Sequence, residues 1–87
     1  MRESYIQSEL CKKLRQAGFL VNALEAPPGW PDVRAFKNGR VIVVEVKQKG
    51  KKPRPLQEIM LEKFRQAGVE VYVLDNTKDI KKIINNG

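Results

Sequence analysis

Apolar positions at the start of the chain recur at helical spacing. Ile6, Leu10, Leu14 and Ala17 share one stripe, which predicts a helix from about Glu3 to Ala17 with that stripe inward. Phe19–Leu24 then reads as a strand, followed by a stiff Ala26-Pro-Pro-Gly-Trp-Pro31 loop. A second strand is predicted over Asp32–Lys37. The Asn38-Gly39 dipeptide after it is a strong signal for a two-residue hairpin. The third strand, Arg40–Lys47, carries the run Val41-Ile-Val-Val44, apolar on both faces as a central strand should be. Gln48–Arg54 is a basic loop, and Pro55 suits the first turn of a helix reaching about Ala67. Leu56, Ile59, Met60, Phe64 and Ala67 are its expected buried stripe. Val69–Leu74 gives a fourth strand, Asp75-Asn76 a turn, and Thr77 or Asp79 the start of a short helix with Ile80, Ile83 and Ile84 inward.

The order is αβββαβ with a final short helix, an α/β pattern. A helical crossover between the third and fourth strands makes them parallel neighbours, while the hairpin makes the second and third antiparallel. The expectation is one domain over residues 1–87, a mixed four-stranded sheet flanked by helices. Arg-Gln-Ala-Gly occurs twice, at Arg15–Gly18 and Arg65–Gly68, each time where a helix should end. This is shared punctuation, not duplication. A chain of 87 residues buries a modest core, so self-association as a homodimer is a natural supplement.

Composition narrows the chemistry. Seventeen basic residues against ten acidic ones give a net charge of +7, which favours a polyanionic partner such as nucleic acid or an anionic surface. With one cysteine, Cys11, and no histidine, an internal disulfide, a Cys/His zinc site and a Ser-His-Asp triad are all excluded. Acid–base or metal chemistry must rest on Asp, Glu, Lys, Tyr or Cys. No apolar run has the length of a membrane span or a signal peptide core, so the expectation is a reduced, cytoplasmic (intracellular) protein with no membrane partner.

The hairpin also sets a register. Pairing Lys37 with Arg40 across the turn makes opposing residue numbers sum to 77. Phe36 then meets Val41, Arg34 meets Val43, and Asp32 falls opposite Glu45. Opposing side chains share a face with Cβ atoms about 5 Å apart, and Lys47, two residues on, shares it too. Two facing carboxylates are destabilising unless something offsets them. A hard divalent cation does so, since Mg²⁺ takes one or two carboxylates, keeps waters and accepts phosphate oxygens. Such an ion and a neighbouring ammonium suit phosphodiester hydrolysis. At about 100° per residue, Glu3 falls within the stripe of the first helix, which aims a third carboxylate inward.

Gly29-Trp-Pro-Asp32, Glu45-Val-Lys47 and Pro55-Leu-Gln57, in this order and spacing, resemble the VRR-NUC branch of the PD-(D/E)xK nucleases. Glu3, Gly18 after the first helix, and Gly68 ahead of a Val-Tyr-Val strand extend the resemblance over nearly the whole chain. It implies a restriction-endonuclease-like core and a Mg²⁺- or Mn²⁺-dependent endonuclease acting on DNA, with branched or junction structures and homodimers known among stand-alone phage and bacterial members. Asp32 and Glu45 would be metal ligands together with the Val46 carbonyl, and Lys47 the catalytic lysine. Gln57 would line the site, and Glu3 would assist metal or water binding. Trp30 departs from the pattern, which often has a small aliphatic residue there.

Simpler roles stand beside these. Asp32 fits a turn after Pro31, Glu45 with Lys47 an exposed edge pair, Glu3 a helix-dipole acid, and Gln57 an ordinary first-turn residue. Lys49, Lys51, Lys52 and Arg54 fit a solvated loop as well as a phosphate-binding one. Trp30 fits a packing anchor or a base-stacking platform. Lys12, Lys13 and Arg15 read as a solvated helix face, Tyr5 and Tyr72 as packing residues. Cys11 sits off the stripe with no role. The rival class is a non-catalytic nucleic-acid-binding module, or a subunit of a repair or packaging complex.

Overall fold

A computed structural model describes residues Met1–Asn86. Gly87, the last residue of the expected domain, lies outside the described residues. The elements are α1 (Glu3–Gln16), β1 (Leu20–Asn22), β2 (Val33–Lys37), β3 (Arg40–Val46), α2 (Pro55–Gln66), β4 (Glu70–Leu74) and α3 (Ile80–Asn85). The four strands form one sheet in the order β1-β2-β3-β4. β1, β2 and β3 pair antiparallel, and α2 carries the chain across so that β4 joins β3 in parallel. The mixed, helix-flanked α/β sheet is therefore the one the hydrophobic pattern predicts.

The hairpin register also agrees. Asn38 and Gly39 have φ of 48° and 81°, as a turn matched to the right-handed strand twist requires. Pairs run from Lys37↔Arg40 to Val33↔Val44. All four strands are shorter than expected, β3 ending one residue early at Val46 and β4 starting one residue late at Glu70. β1 ends at Asn22, whose Oδ1 accepts the Leu24 N–H at 3.3 Å and turns the chain out of the sheet. β2 begins only at Val33, because Pro31 fixes its own φ and has no N–H to give a ladder. Asp32 thus continues the register without being a paired strand residue.

α1 and α3 cover one face of the sheet, where Val33, Ala35, Ile42, Val44, Val46 and Leu74 join Ile6, Leu10, Leu14, Ile80 and Ile83 in the main core. Cys11, expected off the stripe, is buried in the same cluster. α1 contacts α3 as well as the sheet, which widens its buried face. Tyr5 is exposed, against its expected packing role, while Tyr72 packs on the core and donates its hydroxyl to Glu70 at 2.8 Å.

The other face carries Val43 and Glu45, and α2 lies over it. Here the expected stripe is rotated. Leu61 is fully buried and Gln57, Met60 and Phe64 half-buried, whereas Leu56, Ile59 and Ala67 are exposed. At the opposite end of the sheet Arg40 clamps Glu70 at 2.7 and 2.9 Å and donates to the Ile83 and Ile84 carbonyls, closing the C-terminal turn of α3.

Candidate active site

Glu45 sits on β3, between two strands, and is 1% exposed. Its Oε2 accepts the Gln57 Nε2 amide at 2.9 Å and lies 3.4 Å from the Lys47 ammonium. Its Oε1 is equally buried and has no hydrogen-bond partner. Burial pushes the Glu45 carboxyl up to about 7, and the negative charge of Asp32 adds to this, with a smaller push from Glu3. Lys47 pulls the other way. Facing carboxylates and a desolvated position thus both disfavour the ionised form.

Asp32 is half-buried at the mouth of the hairpin, and its Oδ2 accepts the Val46 N–H at 2.9 Å. That bond ties the acid to the strand bearing Glu45, and the register running through Val33↔Val44 continues to set Asp32 across from Glu45. Lys47 follows β3, its side chain only 12% exposed. Gln57 is held at both ends. Its Oε1 accepts the Arg54 N–H at 2.8 Å at the start of α2, and its Nε2 is thereby aimed at Glu45.

Glu3 departs from expectation. It is exposed at the start of α1 and not buried with the stripe, although its charge still bears on Glu45. α1 packs on the far face of the sheet, and Glu3 is its first residue, beyond the part of the stripe that meets the core. Among the described residues no cluster of three or more acidic or cysteine side chains is drawn together tightly enough to hold a metal ion, so Glu3 does not join Asp32 and Glu45 as a direct third ligand in this arrangement.

Lys49, Lys51, Lys52 and Arg54 are exposed on the loop between β3 and α2, immediately after Lys47, and no salt bridge to a carboxylate engages them among the described residues. Trp30 is 38% exposed and meets the Phe64 ring edge-on, centroids 5.0 Å apart. Gly29 lies so close to α2 that a Cβ there would stand 2.8 Å from Leu56 Cγ, with its φ already at +83°.

One residue of the site is not anticipated by the sequence pattern. Arg34 donates to the Pro31 carbonyl at 2.6 Å, to Leu24 O at 2.6 Å and to Asn22 Oδ1 at 2.7 Å. It ties both ends of the Pro-rich loop and fixes the residue just before Asp32. Its place two residues after Asp32 in an alternating strand is the available signal. What a guanidinium does there depends on loop carbonyls that no spacing rule locates.

Two carboxylates on adjacent chain segments, one with an unpartnered buried oxygen, fit a small hard cation that completes its shell with waters and phosphate oxygens. The Val46 carbonyl is a further oxygen donor at the same place in the chain.

No family model matches the chain. The chain is 33% identical to p44 of Acyrthosiphon pisum secondary endosymbiont phage 1, which carries a provisional nuclease name; the match takes in 97% of this chain and 92% of that protein. A solved structure described as a VRR_NUC domain superposes with a TM-score of 0.87 at 31% identity, covering 97% of this chain and 95% of its own.

Proposed function

The chain belongs to the VRR-NUC family of nucleases, and from that premise we propose that it is a Mg²⁺- or Mn²⁺-dependent endonuclease hydrolysing DNA phosphodiester bonds at Asp32, Glu45 and Lys47. The observation that carries this reading is the unpartnered Oε1 of Glu45, an acid buried on an inner strand with a second acid beside it. A buried anionic oxygen without a partner is costly, and a bound cation supplies the missing one.

Asp32 and Glu45 would hold the ion, with the Val46 carbonyl as a further donor and Glu3 acting through water. When bound, such an ion supplies Lewis-acid polarisation of the phosphoryl group and a more acidic water. The Lys47 Nζ–H groups would orient the attacking water and stabilise charge on the pentacovalent phosphorus centre. Gln57 keeps Glu45 Oε2 occupied, which leaves Oε1 as the free ligand atom. Lys49, Lys51, Lys52 and Arg54 would contact the DNA backbone.

The same reading takes in branched DNA as substrate and a homodimer, the latter supported by the exposed Leu56 and Ile59 on α2. A non-catalytic nucleic-acid-binding module accounts equally for the net charge of +7 but leaves the Glu45 oxygen unexplained. The test is cleavage of labelled duplex, flapped and four-way DNA in Mn²⁺ by the wild type and by Asp32→Ala, Glu45→Ala and Lys47→Ala. The wild type should cut, and each variant should lose about 100-fold or more while still binding DNA. Normal cutting by Asp32→Ala or Glu45→Ala contradicts the assignment.

A further inference from the structure

Next to Asp32 and Gln57 opens a recess of about 330 Å³, walled by Pro27, Pro28 and Trp30 and, from α1, by Gln7. Asp32 and Gln57 form one side of it, while neither Glu45 nor Lys47 lines it, so the rest of the recess extends beyond the residues that would hold the cation. Small-ligand sites begin at about 300 Å³, so it has room for one small planar group and not for a stacked base pair. Its wall is preformed. Arg34 ties Leu24 at one end of the loop to Pro31 at the other, and the Trp30 N–H closes onto Pro27 O at 3.1 Å. Gly29 is pressed onto α2 at Leu56, and Trp30 is braced by Phe64. A site organised before binding spends little on ordering itself.

The lining also selects its occupant. Glu25 and Asp32 both line the recess, and with Asp32 committed to the cation, Glu25 leaves the rest of it unsuited to a second phosphate. The guanidinium of Arg34 is taken up by two carbonyls and the Asn22 side chain. What remains is a mostly polar wall, the Gln7 amide with its donor and acceptor among it, interrupted by Pro27, Pro28 and Trp30, a set that offers both hydrogen-bond partners to the polar edge and some apolar surface to the ring of an uncharged base. We propose that this recess binds the base of one unpaired nucleotide in the cut strand, beside the scissile phosphate. The proposal rests on the nuclease reading, since Asp32 itself lines the recess. A base within a duplex enters only by leaving its stack and its pair, which is least costly where it is already unpaired. The chain therefore favours bonds flanking an unpaired nucleotide.

The test is a cleavage map in Mn²⁺ of a labelled strand that is half annealed and half single-stranded, made with and without one abasic residue in the unpaired half. Wild-type cutting at a bond flanking the abasic residue should fall about tenfold against the same bond in the intact strand, other bonds being unaffected. Ala26→Phe, which fills the recess, should abolish that dip. Gln7→Ala should make it shallower, and serves if Ala26→Phe fails to fold. A wild-type map without the dip, cutting confined to the annealed half, or a full dip in both variants overturns the base site while leaving the nuclease standing. A wild type that cuts neither half sinks the nuclease reading and this inference with it.

Discussion

Glu45 is held in a place where its own charge is unfavourable. Folding without a metal raises its carboxyl from 4.5 to about 7, so the folded chain binds this proton more tightly than the unfolded chain does. The stability it contributes is fully present below about pH 4.5 and is lost as pH rises through about 7. Denaturant melts in EDTA should show the wild type weakening over that window and Glu45→Gln showing a flatter profile. Equal slopes for the two proteins would contradict the burial argument. The clustering of Asp32, Glu45 and Lys47 was legible in the sequence because a two-residue turn fixes register, and register fixes which side chains share a face. The burial expected of Glu3 did not hold because helical phase gives a direction but not how far the helix overlaps the sheet. Arg34 was missed because its partners are backbone carbonyls of an irregular loop.

At the scale of elements, α2 shows how a covered polar residue misleads a hydrophobic pattern. Its covered column is Gln57, Leu61 and Phe64, at i, i+4 and i+7. One member is polar because it serves Glu45, so a search for apolar spacing rotates the stripe toward Leu56 and Ile59. Strand identity and order were legible from the run Val41–Val44 and from Asn38-Gly39, since both encode local geometry directly. Strand ends were not, because Asn22 and Pro31 end pairing through their own side-chain chemistry. Gln57 joins the start of α2 to the site, and two substitutions separate those roles. Gln57→Ala removes both bonds and should cost about 1 kcal/mol of stability and about 10- to 100-fold in metal affinity or activity. Gln57→Glu keeps an acceptor for the Arg54 N–H but repels Glu45, so thermal stability should be better preserved than activity. Equal retention of both in Gln57→Glu would show that the Glu45 contact is idle.

For the whole molecule, the basic loop and the acidic pair occupy one end of the sheet, while Arg40 and Glu70 secure the other end. No helix is long and apolar enough to cross a membrane among the described residues, and the excess positive charge is left for a polyanion. DNA affinity measured against salt should give a steep log–log slope. Replacing Lys49, Lys51 or Lys52 by Ala should lower that slope by about 0.9 for each phosphate the lysine had neutralised, and an unchanged slope in all three would remove the loop from the interface. On the proposed mechanism, activity turns on whether the two acids capture a cation. A calorimetric Mn²⁺ titration of the DNA-free protein above pH 7, where Glu45 ionises, tests this most directly. Saturable binding in the wild type, lost in both Asp32→Ala and Glu45→Ala, is the predicted result; no binding in the wild type, or variants that titrate as it does, would contradict it.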